Sequence, residues 1–197
     1  MKITVVGAGY VGLVSGGCFA EFGFDVTCLD NDVKKIDDLG RGIIPIYEPG
    51  LDKLLTKNTE AGRLNFSTDV SASIREADII FIAVGTPSKS DGNADLSYVN
   101  DAIMGLSHYV NDNALLVIKS TVPVGTTRDI KRLLQKNGKN IDVAFNPEFL
   151  KEGAAIDDFM RPDRVILGVE SEKAKKILSQ VYRPLYVYNI PIVFTKL

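Results

Sequence analysis

Residues 1–30 read MKITVVGAGYVGLVSGGCFAEFGFDVTCLD, and from residue 3 to residue 20 none is charged. Two readings compete for such a run. As an export signal or membrane anchor, it would use Lys2 as its basic flank. Eighteen uncharged residues approach spanning length, SGGC resembles a lipoprotein cleavage site, and Gly12 with Gly16 forms a GxxxG pair. Against this, Gly7, Gly9, Gly12, Gly16 and Gly17 dilute the apolar character, and Ser15 stands where a lipoprotein signal needs an aliphatic side chain.

The opening of a nucleotide-binding fold accounts for each element of the run. Residues 3–6 are apolar and β-branched, as in a strand buried on both faces of a parallel sheet. They lead into Gly7-Ala8-Gly9-Tyr10-Val11-Gly12, a GxGxxG loop, and then a helical stretch to about Phe22 with Gly23 at the C-cap glycine position. Gly7 permits the tight turn, Gly9 lets a pyrophosphate approach the backbone, and Gly12 lets helix and strand pack closely. The free N–H groups and partial positive charge of the helix start then face the phosphates.

A GxGxxG alone is weak evidence. Here a second strand, residues 25–29, ends at Asp30, eighteen residues beyond Gly12. That context specifies a dinucleotide site: Asp30 accepts from the adenosine ribose hydroxyls and repels a 2′-phosphate, which favours NAD over NADP. The bland alternative is that Asp30 caps a helix, since Asn31 and Asp32 also precede one.

The rest of the chain agrees. Its 197 residues, 45% of them hydrophobic, fit one substantial core and a single domain. The net charge of −2 and the lack of a basic cluster give no footing for nucleic acid or an anionic membrane surface. Cys18 and Cys28 fall in a helix and a strand and read as buried reduced thiols, which fits the cytoplasm better than a disulfide framework. The single His108 has no Cys or His partner nearby, and no metal site is expected.

Further strands are expected at 64–66, 79–84, 114–118, 143–145 and 165–169. Helices are expected at 33–39, from Pro49 as first helical residue, and at 98–109, 126–137 and 172–182. This alternation specifies a doubly wound, mostly parallel, Rossmann-like α/β sheet. Ligands bind outside the carboxyl ends of such strands. Three loops rich in Gly, Pro, hydroxyls and carboxylates follow strand ends: residues 85–95, 119–126 and 146–153. All three are expected to face the cofactor.

The motifs GAGYVGLVSG, PIYEPGL, VGTP, STVPVGTT and NPEFLKEG occur in the order, and over essentially the whole chain, seen in the UDP-glucose/GDP-mannose dehydrogenase family, which this sequence resembles. The resemblance implies NAD contacts at Val11, Asp30, Lys35, Thr86, Thr121 and Glu152, beside Gly7, Gly9, Tyr10 and Gly12 of the loop. It implies substrate contact from Glu148, Phe149, Leu150, Lys151 and Glu152, and catalytic roles for Thr121 and Glu148. Physically, a Thr hydroxyl can hold a water from which a Glu takes a proton. Lys151 departs from the Arg more usual there and gives up bidentate phosphate contact.

The family's reaction oxidises a sugar C6 alcohol twice, through an aldehyde and a cysteine thioester, to a carboxylate. UDP-glucose is the expected substrate, ahead of GDP-mannose or a UDP-N-acetyl sugar. The nucleophilic cysteine belongs to a motif absent from these residues, as do its lysine, asparagine and aspartate partners, a long central helix and the sugar-nucleotide domain. The chain therefore reads as an excised cofactor domain, inactive alone and monomeric, of a full-length homodimer. A freestanding NAD(H)-binding module remains open. A hydroxyacid or 6-phosphogluconate-type dehydrogenase would share the first loop but not STVPVGT or NPEFLKEG.

Overall fold

Strand β1 (Lys2–Val6) sits near the middle of a single eight-stranded sheet in the computed structural model, which describes residues 1–197. It leads through the glycine loop into α1 (Tyr10–Glu21), then β2 (Asp25–Leu29), α2 (Val33–Gly40), α3 (Leu51–Glu60), β3 (Leu64–Ser67) and α4 (Val70–Arg75). The chain continues as β4 (Ile79–Ile82), α5 (Ser97–Ser107), β5 (Leu115–Ile118), α6 (Thr126–Lys136) and β6 (Asp142–Phe145). It closes with α7 (Ala155–Met160), β7 (Val165–Gly168), α8 (Glu172–Val181), a 3-10 turn (Arg183–Tyr188) and β8 (Ile192–Thr195).

The strand order is β3-β2-β1-β4-β5-β6-β7-β8. Strands β1 to β6 pair in parallel, β6 meets β7 antiparallel through Phe145 and Gly168, and β7 pairs in parallel with β8. Alternate residues of the central strands feed two cores. Ile3, Val5, Ile79, Phe81, Leu115 and Val117 pack under α1, α3, α7 and α8, whereas Ile80, Ile82, Leu116 and Ile118 pack under α4, α5 and α6. Burial on both faces explains why these strands read as unbroken apolar runs.

The uncharged opening run is thus one strand, one loop and one 12-residue helix. No helix of the chain is long and apolar enough to cross a membrane. Helix α1 is buried without a break from Gly12 to Ala20 because it lies between the sheet and the helices α3 and α7. The approach is close: a Cβ added at Gly16 would lie 2.4 Å from the Cys28 sulfur on β2. Both cysteines are free and buried, and burial pushes each thiol up to about 12.

Several expected boundaries move. Pro49 is not the first helical residue: Gly50, at φ +81, makes a left-handed turn and α3 begins at Leu51. Strand β4 ends at Ile82 rather than residue 84, and β7 at Gly168 rather than 169. Helix α5 covers Ser97–Ser107, leaving His108 exposed at its C-cap. Helices α4 and α7 and the 3-10 turn, six residues each, show too little periodicity to register, and β8, an edge strand, is not among the expected strands either.

Candidate functional site

At β1 the sheet changes direction: β2 and β3 lie to one side and β4 to β8 to the other. A cleft of about 560 Å³ opens at that point. Its walls are the carboxyl ends of β1 (Val6, Gly7, Gly9), β2 (Leu29, Asp30, Asn31) and β4 (Ala83, Val84, Gly85), with Lys35, Val70 and one face of α5. This is where a doubly wound sheet takes a ligand.

The three loop glycines do different work. Gly7 sits at φ +101, and a Cβ there would lie 2.8 Å from the Ala83 carbonyl oxygen. At Gly12 a Cβ would lie 1.7 Å from the Gly7 carbonyl oxygen, inside the fold. At Gly9 a Cβ would meet nothing within 4 Å, so that glycine faces open space above the N-terminus of α1. The N–H groups of Tyr10, Val11 and Gly12 find no acceptor in the chain, and Gly9 supplies no side-chain cap. Three unpartnered donors around an open cradle are what a pyrophosphate requires.

Asp32, not Asp30, caps α2: its side chain accepts from Lys35 N at 3.0 Å. Asp30 is left to organise the cleft. Its Oδ2 accepts from Ala8 N at 2.7 Å and from Lys35 Nζ at 3.0 Å, and its Oδ1 accepts from Asp32 N at 3.0 Å. Burial works to raise its pKa, but the Asp32 N–H, the Lys35 ammonium and the Ala8 N–H outweigh it and hold the carboxyl below its ordinary value. A carboxylate has about four acceptor positions, so one remains for a ribose hydroxyl, and Lys35 must give way for a second. Lys35, which resemblance alone singled out, is therefore the counter-ion of Asp30.

Of the expected site residues, the cleft brings together Gly7, Gly9, Asp30 and Lys35. Tyr10, Val11 and Gly12 form the helix start beside it. Thr86 follows Gly85 in the chain but is not among the residues lining the cleft. The loops 119–126 and 146–153 do not line it; they follow β5 and β6, one and two strands further along the same edge. Thr121 is exposed there. Glu148, Phe149 and Leu150 border a separate cavity of about 40 Å³ with Lys119, Asn146, Arg164 and Tyr182. The Glu148 carboxylate accepts from Leu150 N at 2.8 Å, a local turn rather than a cap for α7, which begins at Ala155. Lys151 and Glu152 are exposed, and Lys151 Nζ pairs with Asp158 at 3.3 Å.

Three features escaped the sequence. Tyr98, Asp101 and Gly105 form a wall of the cleft because one face of α5 turns toward it; the apolar periodicity of α5 reports only its opposite, buried face. Lys119 is 4% exposed. Its burial pulls the amine down to about 8, against the charges of Glu148 and Cys18, which act to raise it. It has no carboxylate within 4 Å and lies 5.6 Å from the centre of the Phe159 ring. Its place directly after the buried strand LLVI fits a solvated lysine equally well, so no decisive signal was legible in the sequence. Glu48, buried within the PIYEPGL motif, is the third.

The sequence model of the UDP-glucose/GDP-mannose dehydrogenase family, NAD binding domain, matches residues 1–186. A UDP-glucose 6-dehydrogenase of Rhizobium meliloti (strain 1021) is 52% identical over 200 residues, 99% of this chain and 46% of that protein. One from Bacillus subtilis (strain 168) is 49% identical over 195 residues, 98% of this chain and 44% of that protein. Among solved structures, a UDP-glucose dehydrogenase from Pyrobaculum islandicum superposes with a TM-score of 0.92 at 37% identity, over 99% of this chain and 46% of that one. A GDP-mannose dehydrogenase from Pseudomonas aeruginosa, solved as a ternary complex, gives 0.93 at 33%, over 100% of this chain and 46% of that one. The chain thus spans somewhat under half the length of these relatives.

Proposed function

This chain belongs to the UDP-glucose/GDP-mannose dehydrogenase family, as its NAD-binding domain, and from that premise we propose that it serves a protein oxidising UDP-glucose twice at C6, to UDP-glucuronate. NAD, when bound, supplies the hydride acceptor. The observation that carries the cofactor part of the proposal is the open cradle at Gly9, with the unpartnered Tyr10, Val11 and Gly12 N–H groups and Asp30 at its far end. The substrate part is supported by the similarity to the UDP-glucose 6-dehydrogenases.

The residues divide the work. Gly9, Tyr10, Val11 and Gly12 hold the pyrophosphate, Asp30 and Lys35 the adenosine ribose, and Thr86, Thr121 and Glu152 border the nicotinamide side. Residues 148–152 contact the sugar nucleotide. Thr121 orients a water and Glu148 takes its proton; the second Glu148 oxygen accepts from no protein group and is available for this. The nucleophilic thiol comes from outside these 197 residues, because Cys18 and Cys28 are wholly buried and their thiols are pushed up to about 12. UDP-glucose is favoured over GDP-mannose or a UDP-N-acetyl sugar by the higher identity to relatives named for it. On this reading the whole protein is a homodimer, as the family resemblance implies, and cytoplasmic, the latter in keeping with the free buried cysteines of this chain.

Calorimetric titration with NAD and NADP tests the cofactor assignment: NAD binds more tightly, and Asp30→Ala weakens it by about 1.5–3 kcal/mol. The same substitution frees Lys35, so the preference over NADP narrows. Equal or tighter NADP binding to the unaltered chain would refute the role given to Asp30. Incubated with NAD and UDP-glucose, the chain by itself is expected to produce no sustained NADH. It lacks a reachable nucleophile, and positioning by a second domain can be worth about 7–11 kcal/mol. Two NADH per sugar would show that these residues already hold a complete site.

A further inference from the structure

Glu48 lies in a motif to which the reaction assigns nothing, on the segment before α3, yet the residue is 5% exposed and both of its carboxylate oxygens accept hydrogen bonds. One oxygen, Oε2, accepts from the Tyr10 hydroxyl and from Gly153 N at 2.7 Å. The other, Oε1, accepts from Ala155 N at 2.9 Å. Burial works against ionisation, but the donors of Tyr10, Gly153, Ala155 and Ile156 together hold the carboxyl below its ordinary value.

The three bonds join segments remote in sequence. Tyr10 is the first residue of α1 and an interior residue of the glycine loop, so its position is fixed by the same backbone that cradles the pyrophosphate. Gly153, at φ +88, turns the chain from the loop 148–152 into α7. The residue before α7, Ala154, has no side chain able to cap it, and Glu48 serves in its place, accepting from Ala155 N across a separation of 107 residues. The Tyr10 hydroxyl also lies 3.5 Å from the Lys151 carbonyl oxygen. A short carboxylate at the centre of these contacts leaves little freedom between the two loops.

We infer that Glu48 is a positioning residue: through Tyr10 it carries the placement of the dinucleotide loop to the 148–155 segment, so that cofactor binding fixes the loop that meets the sugar nucleotide. The inference rests on NAD lying against Gly9 and Val11. It assigns Glu48 no contact with either ligand.

Amide exchange by NMR on the chain, with and without NAD, tests this. NAD is expected to slow exchange at Gly153 and Ala155 by about fivefold or more, the lower end of usual coupling between sites. In Tyr10→Phe, where Glu48 still holds both amides, that slowing is lost. In Glu48→Gln exchange is faster even without NAD, because a carboxamide has one acceptor oxygen and turns N–H groups toward donors. The Tyr10 phenol reports the bond itself: its ionisation, pushed up to about 12 by burial and by the bond to Glu48, shifts down in Glu48→Gln. A purely structural role for that bond would leave the NAD-dependent slowing in place in Tyr10→Phe. Equal NAD-dependent slowing in Tyr10→Phe and the unaltered chain overturns the inference. Shifted Gly9 and Val11 signals without slowing at Gly153 and Ala155 refute the coupling alone, whereas no shift at Gly9 and Val11 refutes the cleft assignment and the coupling together.

Discussion

Gly12→Ala is expected to remove NAD binding and much of the stability, while Gly9→Ala, three residues away in the same motif, leaves the fold intact. At Gly12 the new Cβ would lie 1.7 Å from the Gly7 carbonyl oxygen and 2.9 Å from its carbon. Both are backbone atoms, so no rotamer change relieves the overlap. Overpacking typically costs about 1–3 kcal/mol, and more where the neighbour cannot move. Separating α1 from β1 would also displace the Tyr10, Val11 and Gly12 donors, so NAD affinity should fall at least about a hundredfold, or roughly 2.7 kcal/mol. At Gly9 the backbone is extended, at φ −86, and open. Alanine is accepted there until a pyrophosphate arrives. Thermal unfolding and NAD titration of both variants check the contrast, which fails if Gly9→Ala binds NAD as the unaltered chain does, or if Gly12→Ala folds and binds normally.

Lys119→Met is expected to stabilise the chain near neutral pH by up to about 3.5 kcal/mol. Burial lowers the Lys119 amine from 10.5 to about 8, and each pKa unit corresponds to about 1.4 kcal/mol. Below pH 8 both folded and unfolded chains carry the proton, so the cost of burying the charge is present in full. Between about 8 and 10.5 the unfolded chain binds more protons than the folded one, and stability contributed by this group rises with pH. Methionine removes that dependence while keeping similar bulk. The advantage of the variant is therefore flat below pH 8 and fades toward 10.5. The buried thiols of Cys18 and Cys28 act in the opposite sense above their ordinary value of 9.0, since their pKa values are raised in the fold. Cys28 does so alike in both proteins, whereas in the variant Cys18 loses the Lys119 charge that lowers its pKa. The difference is therefore read up to about pH 9, where both thiols stay protonated. Urea unfolding of the two chains across this pH range measures it; a variant less stable at pH 7, or a difference that does not change with pH, would contradict the account.

Both predictions turn on residues that sequence and structure reveal unequally. Gly12 was legible because the motif records a steric rule: where helix and strand pack this closely, no side chain fits. The same holds for the buried parallel strands, whose apolar runs follow from burial on both faces, and for Asp30, fixed in register by the strand that precedes it. Lys119 and Glu48 were not legible. A lysine after a strand is equally at home in solvent, and its confinement depends on Phe159, Tyr182 and Asn146, which the chain contributes from elsewhere.

The sequence by itself determined the alternation of strands and helices, the dinucleotide loop and the family, because these rest on interactions between residues near one another in the chain. Only the tertiary structure decided how far the loops at the sheet edge stand apart. Loop 85–95 begins at the cleft, while loops 119–126 and 146–153 follow β5 and β6 beyond it. It also decided that Asp32 rather than Asp30 caps α2, that Lys35 neutralises Asp30, and that Glu48 joins Tyr10 to Gly153 and Ala155. Each of these depends on where a short polar side chain finds its donors once strands distant in sequence have paired, and local periodicity carries no record of that.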